Sequence, residues 1–443
     1  MKESPSALAL TPLLLFVALF FGAGVYYTAQ GEAMGFYQLR APVAILPALA
    51  LAAWIAHRRG VAAGDTLLQG MGEANIMLMC LIFLLAGAFA AVSKAIGAVD
   101  AVVALGLGAL PPAMLLPGLF LVAAFVSLAI GSSMGTLAAV VPIAAGVADA
   151  ASMDVALVVG AVIGGAMFGD NLSIISDTTI AATRTQGARM GDKFRENFRI
   201  ALPAALASVL LLLVAGGDAV PVQPMEAPPM VLVVPYVLVL VLALAGVDVR
   251  IVLAAGIVAA ALFGFRFAPE YGLDALAGDI WNGFDSMAEI TFLSILIGGL
   301  AGLMKASGGL TWLAQAISRL SRGGRGPRSG EFSIAALAAG TDLFTANNTV
   351  AILVSGEVAR DIATRHAISP RRAASVLDIF ACVVQGVIPW GAQILLAASL
   401  AMVSPLALAG KVWYCWLLAA SALLFMLFWP RRSRAAAMEK GSA

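Results

Sequence analysis

Gly169-Asp170-Asn171-Leu172-Ser173-Ile174-Ile175-Ser176-Asp177-Thr178-Thr179 carries two carboxylates, an amide and four hydroxyls between the apolar run 155–168 and Ile180-Ala181-Ala182. A carboxylate at the centre of a bilayer costs roughly 2.5–3.5 kcal/mol even on the mildest scale. Two of them seven residues apart in such surroundings imply a task. The set is rich in oxygen and poor in nitrogen, which suits Na⁺ or a proton. A short polar loop outside the bilayer is the plainer reading. The flanking apolar runs, and the lack of Lys or Arg between Phe168 and Arg184, speak against it.

The rest of the chain supplies the surroundings. Its 443 residues are 61% hydrophobic and 12% charged, with a mean hydropathy of +0.98, which places it among polytopic membrane proteins. The net charge of +1 offers no field for nucleic acid. Cys80, Cys382 and Cys415 lie inside apolar runs with no disulfide or metal-site spacing and read as small hydrophobes. His57 and His366 stand in Arg-bearing loops, so a His-based centre is not expected. No Ser–His pair, HExxH or Cys–His set is present, which argues against an enzyme.

A membrane helix needs about 20 apolar residues. Read by length, the chain holds about 11–13 membrane segments, several of them interrupted. Residues 7–27 are too long for a signal-peptide core and read as the first span. Residues 1–60 thus hold two N-terminal helices ending at His57-Arg58-Arg59. Residues 61–216 hold a first repeat with the opening motif. Residues 217–287 hold a Pro-rich linker, a hairpin and an acidic stretch (269–285), the linker and the acidic stretch placed on the extracytoplasmic side. Residues 288–410 form a second repeat, and 411–443 a last helix with a basic tail. Basic clusters at 57–59, 184–199 and 431–434 place both termini on the cytoplasmic side. Residues 310–320 are short and amphipathic, read as lying on the inner surface with 332–354 as a re-entrant hairpin.

Two parts of the chain echo each other. Gly87, Lys94 and Gly97 match Gly298, Lys305 and Gly308, and residues 136–140 match 349–353. The charge rule sends the first repeat's leading helix outward and the second's inward, the mark of an inverted-topology repeat. The expected fold is therefore all-α, with inverted repeats and broken helices. Such folds place the ion site between the repeats, on discontinuous helices near the midplane.

Four polar breaks mark those helices: 132–136, 170–179, 341–349 and 389–393. Backbone freed at such depth is tolerated only inside protein or along a cavity. Asp170 and Asp177 are the expected cation ligands and proton carriers. A dry site disfavours the charged carboxylate, so it can trade a proton for Na⁺. Asn171, Ser173 and Thr178 would complete an oxygen cage, and Asn347 and Asn348 would do the same from the second repeat. Asp342 is a third buried acid, or alternatively the cap of a helix starting at Leu343. Ser133, Thr136, Thr349 and Trp390 are placed along the cavity or its gate. Lys94 and Lys305 snorkel from helix ends; either one, or Arg184, inside a cavity would instead favour an anionic cargo.

Gly131-Ser132-Ser133-Met134-Gly135-Thr136, Phe168-Gly169-Asp170-Asn171-Leu172-Ser173 with Ser176-Asp177-Thr178-Thr179, and the Pro389-Trp390 break resemble the NhaC-type Na⁺/H⁺ antiporter family. The resemblance runs from about Glu73 to Met402. It implies a bacterial inner-membrane secondary antiporter, often a homodimer in the lipid bilayer, that moves Na⁺ and H⁺ and uses no cofactor. It maps the family's paired acids to Asp170 and Asp177. Relatives that exchange malate and lactate keep a small organic solute, an organic acid or amino acid, as the alternative cargo. The stretch around Asn347-Asn348 departs from the pattern of the sodium exporters.

Overall fold

Apolar runs with no water to satisfy their backbone must pair it internally. The computed structural model describes residues 4–30, 38–109, 111–174, 176–216, 229–245, 247–268, 270–323 and 326–428, and its elements there are all helical. The linker 217–228, the tail 429–443 and Ile175 lie outside the described residues. Among the described residues, eight helices are long and apolar enough to cross a membrane. The pair Ala392–Ala401 and Pro405–Lys411, bent by 111°, makes a ninth if taken as one broken span. Three shorter apolar helices, Leu115–Ala129, Met230–Leu242 and Trp413–Phe428, bring the apolar segments to eleven or twelve. The protein is an all-α polytopic membrane protein with broken helices.

In the first half, α1 (Thr11–Ala29) and α2 (Leu46–Arg58) lead to α3 (Ala63–Met71), α4 (Ala74–Ala95) and α5 (Ala98–Ala109). Then come α6 (Leu115–Ile130), α7 (Ser133–Ala150), α8 (Val155–Leu172), α9 (Asp177–Gln186) and α10 (Met190–Gly216). In the second half, α11 (Val234–Leu244) and α12 (Val249–Phe267) lead to α13 (Leu273–Ala306) and α14 (Gly309–Gly323). After them stand α15 (Pro327–Thr345), α16 (Asn348–Arg365), α17 (Pro370–Gln385), α18 (Ala392–Ala401), α19 (Pro405–Lys411) and α20 (Trp413–Phe428).

The halves repeat one another element by element. Helix starts Ser133 and Asn348, Val155 and Pro370, Asp177 and Ala392, and Met190 and Pro405 are all 215 positions apart. Left-handed backbone recurs at the same spacing: Gly131 (φ 71°) and Ala346 (φ 50°), Ser152 (51°) and Ala367 (53°), Gly187 (67°) and Met402 (54°). Gly97 and Gly308 share φ 78° two helices earlier. This register corrects the sequence match of Thr136 with Thr349, which is two residues out: Thr349 corresponds to Met134. Contacts between the halves are also exchanged. Gly70 lies against Gly298 in α13, and Gly283 in α13 lies against Gly87 in α4; an added Cβ would come within 2.2–2.7 Å of the opposing backbone.

Helix α13 runs unbroken for 34 residues from Leu273, so most of the acidic stretch placed outside is helical, and the boundary drawn at 287–288 falls inside that helix. At 1.5 Å per residue such a helix reaches about 50 Å, well beyond the ~30 Å hydrocarbon layer. Its acidic end can be wet without ceasing to be helix. Likewise α15 runs through Asp342 to Thr345, so Asp342 does not cap a helix but sits inside one. The amphipathic α14 packs on α15 and on the turn Ala7–Leu10.

Candidate cation site

Helices α6 and α8 approach closely because α8 is lined with glycine. An added Cβ would meet the Phe120 carbonyl oxygen at 2.1 Å from Gly165 and the Ala124 carbonyl oxygen at 2.3 Å from Gly169. That contact carries the end of α8 into the break between α6 and α7. There Gly131 turns left-handed, Ser132 is extended, and the Ser132 hydroxyl accepts from the Gly135 N–H (3.3 Å), capping α7. Helix α8 itself stops at Leu172. Ser173 and Ser176 are extended, and α9 begins at Asp177.

Asp170 lies in this crossing, 3% exposed. Its Oδ2 accepts from the Ser133 hydroxyl (2.7 Å) and backbone N–H (3.4 Å), and its Oδ1 from the Ser176 hydroxyl (2.6 Å). Ser176 in turn shares a hydrogen bond with the Thr178 hydroxyl (2.9 Å). All these donors are neutral. From Ser133 a chain runs into the second half: Gln393 Nε2 donates to Ser133 Oγ (3.2 Å), and Gln385 Nε2 donates to Gln393 Oε1 (2.7 Å) and to the Ala346 carbonyl (3.2 Å).

Asp177 stands differently. It is exposed, and its Oδ2 accepts from the Thr349 hydroxyl (2.8 Å) at the start of α16. The two aspartates are thus not a buried pair: one is enclosed, the other open at the seam between the halves.

Asn171 faces away from Asp170 into a second cluster. Asn171 Nδ2 (3.0 Å) and Asn197 Nδ2 (2.9 Å) donate to Asp378 Oδ2, which also pairs with Lys193 at 2.7 Å. Lys193 further donates to the Asn171 carbonyl (3.0 Å) and the Thr179 hydroxyl (2.6 Å). Both ionised groups are at most 1% exposed. A neighbouring cluster ties Arg372 to Glu196 (3.3 Å) and Glu331 (3.1 Å), with its guanidinium 4.4 Å from the Phe425 ring centre.

The remaining expected residues disperse. Ser173 donates to the Leu128 carbonyl (3.0 Å) and Thr136 to the Ser132 carbonyl (3.0 Å), so both hold local backbone. Asn347 caps α16 by accepting from the Val350 N–H (3.0 Å). Trp390 donates to the Leu343 carbonyl (3.2 Å) and meets Phe21 edge-on, pinning the second break to α1. Asp342 and Asn348 gather at that second break. Sequence reasoning missed Ser176, Lys193, Asn197, Asp378, Gln385 and Gln393 as site residues. Ser176 and Gln393 lay in flagged polar breaks, whereas Lys193 read as one more basic residue of a loop.

A cavity of about 350 Å³ opens beside the second break, lined by Gln69, Glu73, Lys305, Thr345 and Asn347 among others.

Residues 6–217 and 226–429 match the model of the Na⁺/H⁺ antiporter family. The chain is 28% identical over 350 residues to the Na⁺/H⁺ antiporter NhaC of Bacillus subtilis, covering 72% of this chain and 76% of that protein. It is 27% identical over 251 residues to the malate-2H⁺/Na⁺-lactate antiporter of the same organism, 53% of either chain. Against NhaC of Alkalihalophilus pseudofirmus it is 33% identical over 137 residues, 30% of either chain. These last two matches span about half or less of those relatives. The two stretches that match the family model coincide with the two halves of the fold, and the chain belongs to the Na⁺/H⁺ antiporter family.

Proposed function

We propose that this transporter exchanges Na⁺ for protons across the bacterial plasma membrane, with Asp170 as the carboxylate that holds either ion in turn. One contrast carries the reading. Asp378 is buried with a permanent counter-charge, Lys193. Asp170 is buried with hydroxyls and one N–H for partners and no basic group. An ionised carboxylate out of water is costly without a cation, so the counter-charge at Asp170 is one that comes and goes. A proton neutralises it directly. Na⁺ does so with the Ser133 and Ser176 hydroxyl oxygens turned towards the ion as further ligands. The two occupants exclude one another, which is the physical basis of exchange. Asp177, open and held by Thr349, draws cations to the mouth at the seam between the halves. Ion gradients drive the cycle and no cofactor takes part. The halves are inverted relative to one another, with both termini cytoplasmic, and rocking of one half against the other alternates access. The working unit is a homodimer.

The test is a pH-sensitive dye in proteoliposomes holding an imposed ΔpH. Collapse of the gradient on adding NaCl alone supports the proposal. One observation favours a second reading: Lys305 lines the cavity beside the second break, and an organic anion wants such a counter-charge. A gradient that resists Na⁺ but collapses once an organic acid or amino acid is added would establish that reading instead.

A further inference from the structure

At the positions that correspond to the Asp170 site, the second half holds buried side-chain atoms that lack partners. By the 215-residue spacing, Asp170 corresponds to Gln385, Ser133 to Asn348, and Ser127 to Asp342. In the first half each is satisfied: Ser133 bonds Asp170 at 2.7 Å, and Ser127 donates to the Ala166 carbonyl at 2.6 Å. In the second half, Asp342 is 0% exposed and neither carboxylate oxygen accepts a hydrogen bond. Gln385 is 1% exposed and its Oε1 is also without a donor, as is the Asn348 Nδ2 without an acceptor. These residues sit on α15, α16 and α17, three helices packed on one another around the Ala346–Asn347 break. Gln385 itself bonds the Ala346 carbonyl there, and the Ala346 N–H bonds the Asp342 carbonyl (2.7 Å).

Three buried acceptor oxygens, two of them on a carboxylate, stand at the C-terminal and therefore negative end of α15. Buried acceptors left without donors are rare in folded proteins, and each calls for a partner. With no basic side chain bonded to any of the three, the ligand that fits is a small hard cation. We infer that Asp342 and Gln385, at the 346–347 break, form a second monovalent-cation site, separate from Asp170 and joined to it through the Gln385–Gln393–Ser133 hydrogen-bond chain. The inference rests on Asp170 being the first site, and it divides between two sites what the sequence groups into one constellation.

Equilibrium binding of radioactive Na⁺ to the purified full chain in nanodiscs tests it. The expected stoichiometry is two Na⁺ per wild-type chain, one for Asp342→Asn and one for Asp170→Asn. Gln385→Leu keeps both sites but weakens one by about tenfold, roughly one neutral ligand's share; this variant carries the test if Asp342→Asn does not fold. Unchanged stoichiometry in Asp342→Asn, or unchanged affinity at both sites in Gln385→Leu, overturns the second site while leaving Asp170 intact. Unchanged stoichiometry in Asp170→Asn, with one ion lost in Asp342→Asn, overturns the proposed role of Asp170 and leaves the second site standing.

Discussion

Asp170→Asn reduces Na⁺-driven proton flux in proteoliposomes to the level of empty liposomes while the protein stays folded. The amide keeps the size of the carboxylate and can still meet the Ser133 and Ser176 hydroxyls, so packing is undisturbed. What it removes is the negative charge that no residue around it balances. Asparagine neither binds a proton at working pH nor offsets the charge of Na⁺, so both half-cycles stop. Stability is unchanged, because the protonated carboxyl and the amide that replaces it are both neutral and similarly hydrogen-bonded in the buried site. Size-exclusion chromatography and thermal unfolding check the fold, and the dye assay checks the flux. A variant with wild-type flux would remove Asp170 from the cycle.

Lys193→Met has the opposite signature: it loses stability, by roughly 3–5 kcal/mol, because it strands the Asp378 carboxylate in a buried site. The pair is 2.7 Å apart and at most 1% exposed on either side. The two amides that remain on Asp378, from Asn171 and Asn197, supply hydrogen bonds but no charge. Lys193→Met combined with Asp378→Leu recovers most of the loss, since a well-packed apolar pair can replace a buried ion pair at little cost. Thermal unfolding of the two variants measures this coupling. If Lys193→Met unfolds like wild type yet loses exchange, the pair belongs to the transport cycle and not to the scaffold.

These two acids show how far the sequence could be read. Asp170 was legible because its stretch interrupts apolar sequence with a dense run of oxygens, and membrane insertion makes such a run costly wherever it lacks purpose. The breaks at 131–132 and 346–347 were legible for the same reason, although the structure confines each to two residues. Asp378 was not, since a single acid in the run 373–388 has no local signal. Its partner lies 185 positions away, among Arg189, Arg195 and Arg199, where charge counting sees only a cytoplasmic loop. Arg372 is hidden likewise: in sequence it is one more basic residue beside Arg360, Arg365 and Arg371, yet it binds Glu196 and Glu331 in the interior. Periodicity fixes which face of a helix is apolar but not which buried acid meets which buried base. In the 269–285 stretch acidity gave no sign of the helix that runs through it, because a helix longer than the bilayer can carry its acids outside the apolar layer.

In the proposed exchange, Asp170 holds a proton that Na⁺ displaces. Purified protein in a weakly buffered solution, titrated with NaCl against a pH electrode, reads this directly. Wild type should release protons as Na⁺ binds, and Asp170→Asn should release fewer by one per chain that was protonated at that residue. Equal release from the two proteins would contradict it.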